Sequence, residues 1–281
     1  MFNKIFPLFL VLILATMACG LQVDLPSAKS PGKDIEEKIS IPYPVQDVHL
    51  VLSFGGGKLI LAPGAANLVE GTATYNLPDF KPEIKTTGGA VNLSQGNYKV
   101  NGLPVFNGIK NIWDLKLGAK PMSLAIKAGG YQGSFNFGGL SLTELTIDDG
   151  AADVTADFSK PNPEKLALFS YKTGASNVTL NNLANANFSN LTFESGAGNY
   201  KLDFGGSLLR DGTVTIRSGM SNLSLIIPQG VNAVVKVTGG LSNLQVPAGW
   251  EKNGDTYSQT GSGPALTIMV EMGAGNVQIS E

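Results

Sequence analysis

One five-residue pattern recurs through this chain and limits what it can fold into: Gly, two small or apolar residues, Asn or Asp, then an apolar residue. It is written Gly64-Ala-Ala-Asn67-Leu68, Gly89-Ala-Val-Asn92-Leu93, Gly150-Ala-Ala-Asp153-Val154, Gly174-Ala-Ser-Asn177-Val178, Gly196-Ala-Gly-Asn199-Tyr200, Gly219-Met-Ser-Asn222-Leu223, Gly240-Leu-Ser-Asn243-Leu244 and Gly273-Ala-Gly-Asn276-Val277. From Gly150 onward the steps are 24, 22, 23, 21 and 33 residues, and a degenerate copy, Gly118-Ala-Lys-Pro121-Met122, splits the gap before Gly150. Self-similarity at a fixed short period is the mark of a repeat architecture.

After each copy the residues alternate as in a half-buried strand, with Tyr200, Leu202 and Phe204 set against Lys201 and Asp203. Shorter apolar runs such as Val214-Thr-Ile216 lie between copies, so each unit reads as two strands and two turns. The fold class is all-β, a β-solenoid of stacked coils of about 21–25 residues, with an antiparallel β-sandwich as the alternative. Each turn Gly is expected to supply a positive φ, and the Asn three residues on to stack from coil to coil as an amide ladder. On that basis Gly150, Gly174, Gly196, Gly219, Gly240 and Gly273, with Asp153, Asn177, Asn199, Asn222, Asn243 and Asn276, are structural turn residues. The 33-residue step is expected to hold a hairpin near 250–257, signalled by Asn253-Gly254 between Trp250 and Tyr257.

Ahead of the repeats, Ile5 to Ala18 is uncharged and nearly all apolar, too short to span a bilayer and of the right length for a secretion signal. The run ends Thr16-Met17-Ala18-Cys19-Gly20, similar to a bacterial lipobox, although Thr16 stands where Leu is usual. Residues 1–18 are therefore read as a lipoprotein-type signal peptide, Cys19 as the lipidation site and residues 19–39 as a flexible tether, the alternative being a plain secretory signal or an uncleaved anchor with Cys19 incidental. The expected location is the bacterial cell envelope outside the cytoplasm, attached to a membrane through the lipid anchor.

Several chemistries lack material. Twenty basic against 22 acidic residues leave a net charge of −2, which offers nothing to a phosphate backbone, so no nucleic-acid partner is expected. His49 and Cys19 are the only residues of their kinds, which excludes Cys/His zinc sites, and no metal or cofactor is expected. Phe54-Gly-Gly-Gly-Lys58 has the wrong spacing for a phosphate-binding loop. Glu144, Asp148, Asp149 and Asp153 form the one acidic concentration, read as a solvated turn rather than a Ca²⁺ or catalytic site. Tyr131, Phe135, Phe137, Phe188, Phe193, Tyr200 and Phe204 are read as stacked inside the coils. The sequons at Asn92, Asn177, Asn187, Asn190 and Asn222 are by-products of turn composition.

The Gly57-Lys-Leu-Ile-Leu61 and Trp113-Asp-Leu-Lys-Leu117 strands, the repeated Gly-Ala-Gly-Asn turns and the closing Gly273-Ala-Gly-Asn-Val-Gln-Ile279 resemble the toast-rack domain family. That family is related to LiaF-like cell-wall-active antibiotic response proteins and to candidate β-solenoid adhesins. The resemblance implies an extracytoplasmic all-β repeat fold, with an N-terminal toast-rack-like segment over 40–125 and a C-terminal solenoid over 126–281. It brings no catalytic residues with it. The LiaF-like type has membrane helices ahead of its β domain, and this chain has a lipoprotein leader there. The function expected is a non-enzymatic surface lipoprotein whose rigid scaffold serves binding or adhesion to an envelope protein or glycan. The alternatives are an envelope-stress accessory protein and, behind it, a carbohydrate-active enzyme.

Overall fold

The computed structural model describes residues 31–96 and 108–281. Its strands are β1 (Ile35–Ile41), β2 (Val48–Ala65), β3 (Val69–Tyr75), β4 (Pro82–Thr87), β5 (Ala90–Gln95), β6 (Asn111–Gly118), β7 (Met122–Asn136), β8 (Leu142–Asp157), β9 (Leu168–Asn181), β10 (Asn190–Asp203), β11 (Gly212–Ile226), β12 (Val231–Gln245), β13 (Glu251–Asn253), β14 (Thr256–Gln259) and β15 (Ser262–Ser280). All belong to one 15-stranded sheet. Its spine is a run of parallel pairings, β2-β7-β8-β9-β10-β11-β15-β12, so the fold is the solenoid and not the sandwich.

Each spine strand has two arms that meet at a glycine corner, written Gly-x-x-Asn in β9, β10, β11, β12 and β15, so the two short strands expected per unit are one continuous strand. Alternation on both arms sends Leu145, Ile147, Val154 and Ala156 of β8 inward, and the register lays Phe169, Tyr171, Val178 and Leu180 of β9 on them. The interior aromatics form a chain of ring contacts from Phe54 and Trp113 through Tyr131, Phe135, Phe137 and Phe158 to Phe169, and a second from Tyr171 through Phe193 to Tyr200. Phe188 and Phe204 are buried as well. Burial of this apolar column, at roughly 25 cal/mol per Å² removed from water, is the main force holding the stack together.

The loops that close the coils are pinned by asparagines outside the repeated turn, Asn162 and Asn187. Asn162 accepts from Leu142 N and donates to Leu142 O and Ala186 O. Asn187, in the left-handed region at φ 58°, donates to Asn162 O and Glu164 O and accepts from Arg210 Nε. Its amide is thus committed inside the fold, and the sequon it heads is not available for glycan attachment.

At the N-terminal end the parallel stack closes with antiparallel strands. Here β5 covers the first arm of β2 and β6 covers the second, while Gln95 and Asn111 bridge the gap at the corner through Gly55 N and Gly56 O. Antiparallel β4 lies on β5, β3 on β6 and β1 on β3. The expected tether, residues 19–39, runs into the sheet, and its residues 19–30 lie outside the described residues. Within 19–39, residues 35–39 belong to β1, because Ile39 and Ile41 alternate with Lys38 and Ser40 and bury their side chains against β3. Residue 125 lies inside β7, which pairs continuously with β2 and β8 on either side of it.

The C-terminal end departs from simple stacking. The Asn253-Gly254 turn does join a hairpin, β13–β14, but the hairpin lies antiparallel on the outer edge of β12. The chain then returns as β15 and fills the place between β11 and β12. The last strand in sequence is therefore the next-to-last coil in space, which corrects the expectation that every coil stacks on the one before it.

Candidate functional site

The repeated turn builds two parallel columns along the corner. In the first, Gly55, Gly129, Gly150, Gly174, Gly196, Gly219, Gly273 and Gly240 follow one another. A Cβ at each from Gly129 onward would stand 2.3 to 3.2 Å from the carbonyl oxygen of the glycine before it. None of these glycines lies in the left-handed region, which corrects the expected reason for them. They are glycine because neighbouring backbones pack too closely for a side chain. A positive φ falls two residues later, at Gly198 and Gly275. Two members escaped the motif: Gly55, in the segment weighed as a phosphate loop, and Gly129, whose corner carries Gln132 instead of Asn. Conversely, the copies at Gly64, Gly89 and Gly118 lie near the ends of the N-terminal strands and do not join the column.

The second column is the amide ladder. The register aligns Gln132, Asp153, Asn177, Asn199, Asn222, Asn276 and Asn243. Asn199 Nδ2 donates to Asn177 Oδ1 at 2.9 Å, Asn222 to Asn199 at 2.9 Å and Asn276 to Asn222 at 2.7 Å. These side chains are exposed, so each amide keeps a free N–H and a free lone pair toward solvent. Beside them run Ser134, Thr155, Thr179, Lys201, Ser224, Gln278 and Gln245. Between the two rows a shallow groove of about 600 Å³ crosses β9, β10, β11, β15 and β12. With strands about 4.8 Å apart, it is roughly 19 Å long.

On the other side of the corner a third column went unnoticed in the sequence because its members are far apart in the chain. Lys127, Asp148, Lys172, Glu194, Arg217 and Glu271 are in register and alternate in sign. Lys172 Nζ lies 3.0 Å from Glu194, and Arg217 lies 3.7 Å from Glu194 and 3.6 Å from Glu271. Being exposed, such pairs stabilise weakly, but their order of signs favours one neighbour over another.

The acidic concentration at 144–153 is dispersed by strand alternation. Glu144 and Asp148 point outward on one arm, Asp153 outward on the other, and Asp149 inward. Asp149 is buried, which corrects its reading as part of a solvated turn. It accepts hydrogen bonds from Tyr131 Oη at 3.2 Å, Tyr171 Oη at 2.8 Å and Thr173 Oγ1. With its proton given to Asp149, Thr173 Oγ1 accepts from the Ser176 hydroxyl at 2.5 Å, and Ser176 Oγ in turn accepts from Ala152 N. Desolvation raises the Asp149 pKa above the usual carboxylate value, although the three hydroxyl donors pull the other way. Burial raises Tyr131 and Tyr171 above the usual phenol, with the Asp149 charge adding to both. The donors converge on a buried carboxylate, an arrangement that fastens β7, β8 and β9 together. Among the described residues no three acidic, His or Cys side chains are grouped to hold a metal ion, and no helix is long and apolar enough to cross a membrane. Cys19 and the leader lie outside the described residues.

No curated protein matches this chain in sequence. Among solved structures, a candidate cell adhesion protein from Clostridium sporogenes ATCC 15579 is 21% identical, with a TM-score of 0.46 over 89% of this chain and 99% of that one. A candidate adhesin from Bacteroides fragilis NCTC 9343 is 9% identical, with a TM-score of 0.35 over 88% and 97%. A candidate lipid binding protein from Parabacteroides distasonis ATCC 8503 is 10% identical, with a TM-score of 0.34 over 88% and 97%. The family model for the N-terminal domain of toast_rack, DUF2154, matches residues 28–181, more than half of the chain. This protein, with its glycine corners and stacked arms, belongs to the toast-rack family.

Proposed function

We propose that this chain is a non-catalytic surface lipoprotein, held to the envelope through Cys19, whose solenoid is a rigid scaffold for binding an envelope glycan or protein. The observation that carries this reading is the outward face of the second arms. Over five coils it offers amides and hydroxyls at regular spacing beside Lys201, a surface with many hydrogen-bonding groups and no concentration of acid and base. Chemistry on a bound polymer would need a nucleophile with an adjacent base or a pair of carboxylates. Asp149, a carboxylate with three hydroxyl partners, is buried in the core. A shallow polar groove suits many weak contacts along an extended ligand.

The test is sedimentation of the purified chain with isolated cell-wall polymer, wild type against a Lys201→Glu, Asn222→Asp double variant. Both positions are exposed, so melting should change little while retention falls at least tenfold. Equal retention of both forms would remove the face from the reading, and release of soluble sugar by the wild type would replace the scaffold with an enzyme. Loss of membrane fractionation in Cys19→Ala is expected alongside.

A further inference from the structure

The last strand enters the stack by an unusual route. Once β12 is laid down, the β13–β14 hairpin forms on its far edge, and the chain comes back to the near edge as β15. The return is very short. Gln259 stands opposite Ala233 on the far side of β12, and Ser262 stands opposite Val231 on the near side, so only Thr260 and Gly261 carry the chain around the start of β12.

That crossing leaves no room. A Cβ on Gly261 would lie 2.2 Å from Gly230 O and 2.4 Å from Asn232 N. The flanking Gly230 and Gly263 sit in the left-handed region at φ 79° and 91°, where any other residue is strained. The hinge is therefore both short and tightly constrained in the closed form.

What holds β15 between its neighbours does not depend on that hinge. Gly273 seats on Gly219 and beneath Gly240, Asn276 donates to Asn222 and Glu271 pairs with Arg217. Val270 and Ile268 pack inward in register with Ile216 and Val214 of β11 and with Val237 and Val235 of β12. A β15 supplied by another molecule would make every one of these contacts. An element whose contacts are all transferable, joined by a short constrained hinge, meets the conditions under which identical chains exchange it.

We propose that β15 is an exchangeable strand. In the exchanged pair, β15 of each copy fills the place between β11 and β12 of the other, with residues 260–263 extended into a linker, so that the partner is a second copy of this chain and the assembly closes as a twofold dimer. The exchange joins two scaffolds through the β15 slot, with the Asn276 rung of the amide ladder then supplied by the second copy, and it stands whether or not that face binds a glycan.

The test uses Ser224 and Gln278, register partners on the outward face of β11 and β15, in a Cys19→Ser background so that introduced cysteines are the only ones. Ser224→Cys and Gln278→Cys chains are unfolded, refolded together at high concentration and oxidised. The expected product is a dimer whose digest contains a 224–278 disulfide, with a share that rises with refolding concentration and that is absent when separately folded chains are mixed. The two substitutions in one chain should close within the monomer. If they close there while the co-refolded mixture gives no 224–278 link, the exchange is overturned. If they fail to close in one chain, the slot itself is wrong and the proposal goes with it. Inserting Gly-Ser-Gly-Ser after Gly261 relaxes the crossing and should lower the exchanged share several-fold, and an unchanged share would overturn the part assigned to the hinge.

Discussion

From β8 to β11 each strand lies on the one that precedes it in the chain, whereas beyond β11 the order in space is β15 and then β12. Both regions use the same corner. Gly219, Gly273 and Gly240 continue one column, and Asn222, Asn276 and Asn243 continue the other. The corner therefore fixes the register of neighbours without choosing among them. The choice is made beside it. Arg217 meets Glu271 in the observed order, but would meet the uncharged Thr238 if β12 lay on β11. Strand β12 is also irregular at its own corner, with register shifts on both sides of Leu241. A bulged strand suits the end of a stack, where its second arm needs a partner on one side only. The interiors differ too. Under the central corners lie Asp149, Thr173, Ser176, Ser218 and Ser221, while under the β15 corner lies Met272.

The sharpest way to break this comparison is at the glycines. Gly196→Val puts a side chain 2.6 Å from Gly174 O in a coil held on both sides. It should prevent folding or remove more than about 4 kcal/mol. Gly240→Val meets Gly273 O at 2.4 Å, but β14 pairs only with Ala233–Lys236 of β12, so the corner at Gly240 can shift outward, and about half that loss is expected in thermal unfolding. Equal losses would mean that the end coil is as tightly held as the centre.

The second effect is at the buried carboxylate. Asp149→Ala leaves the hydroxyls of Tyr131, Tyr171 and Thr173 without their acceptor and should cost about 3 kcal/mol. Asp148→Ala, one residue away on the exposed charge column, should cost less than about 1 kcal/mol. Similar values for the two would contradict the alternation that separates them.

A third test is alkaline unfolding. The phenols of Tyr131 and Tyr171 are raised above their ordinary value of 10.0 in the folded chain, so the stability they contribute is fully present below pH 10. It is lost as the pH rises from there through the folded values, by up to about 1.4 kcal/mol per pH unit for each phenol. Denaturant midpoints measured from pH 9 to 11 should fall, and Tyr171→Phe should flatten the fall. A midpoint independent of pH over that range would show that these rings reach solvent.

The smallest effect sharpens the junction of the two regions. Arg217→Ala should lower stability by about 0.5 kcal/mol, and Arg217→Glu, flanked by Glu194 and Glu271, by about 1 kcal/mol or more at low ionic strength. The difference between the two variants should shrink when salt is added. A difference that persists in molar salt would assign the effect to packing rather than charge.

Much of this protein was present in its sequence because a solenoid repeats one local solution, and local solutions leave a periodic trace. The spacing of Gly150, Gly174, Gly196 and Gly219 contains the coil length, the alternation after each Asn contains the inward face, and the stacked asparagines follow from both. The reason for the glycines was not contained there, since a close approach between backbones 22 residues apart and a left-handed φ call for the same residue. Asp149 looked like a turn residue because composition carries no direction, and only the strand's alternation turns it into the core. The order of the last coils lay furthest out of reach. Equivalent repeats are interchangeable as local patterns, so which coil neighbours which is decided by contacts between distant segments: Arg217 with Glu271, the hairpin on the edge of β12, and the two-residue return at Gly261 that exists only once the strands are in place.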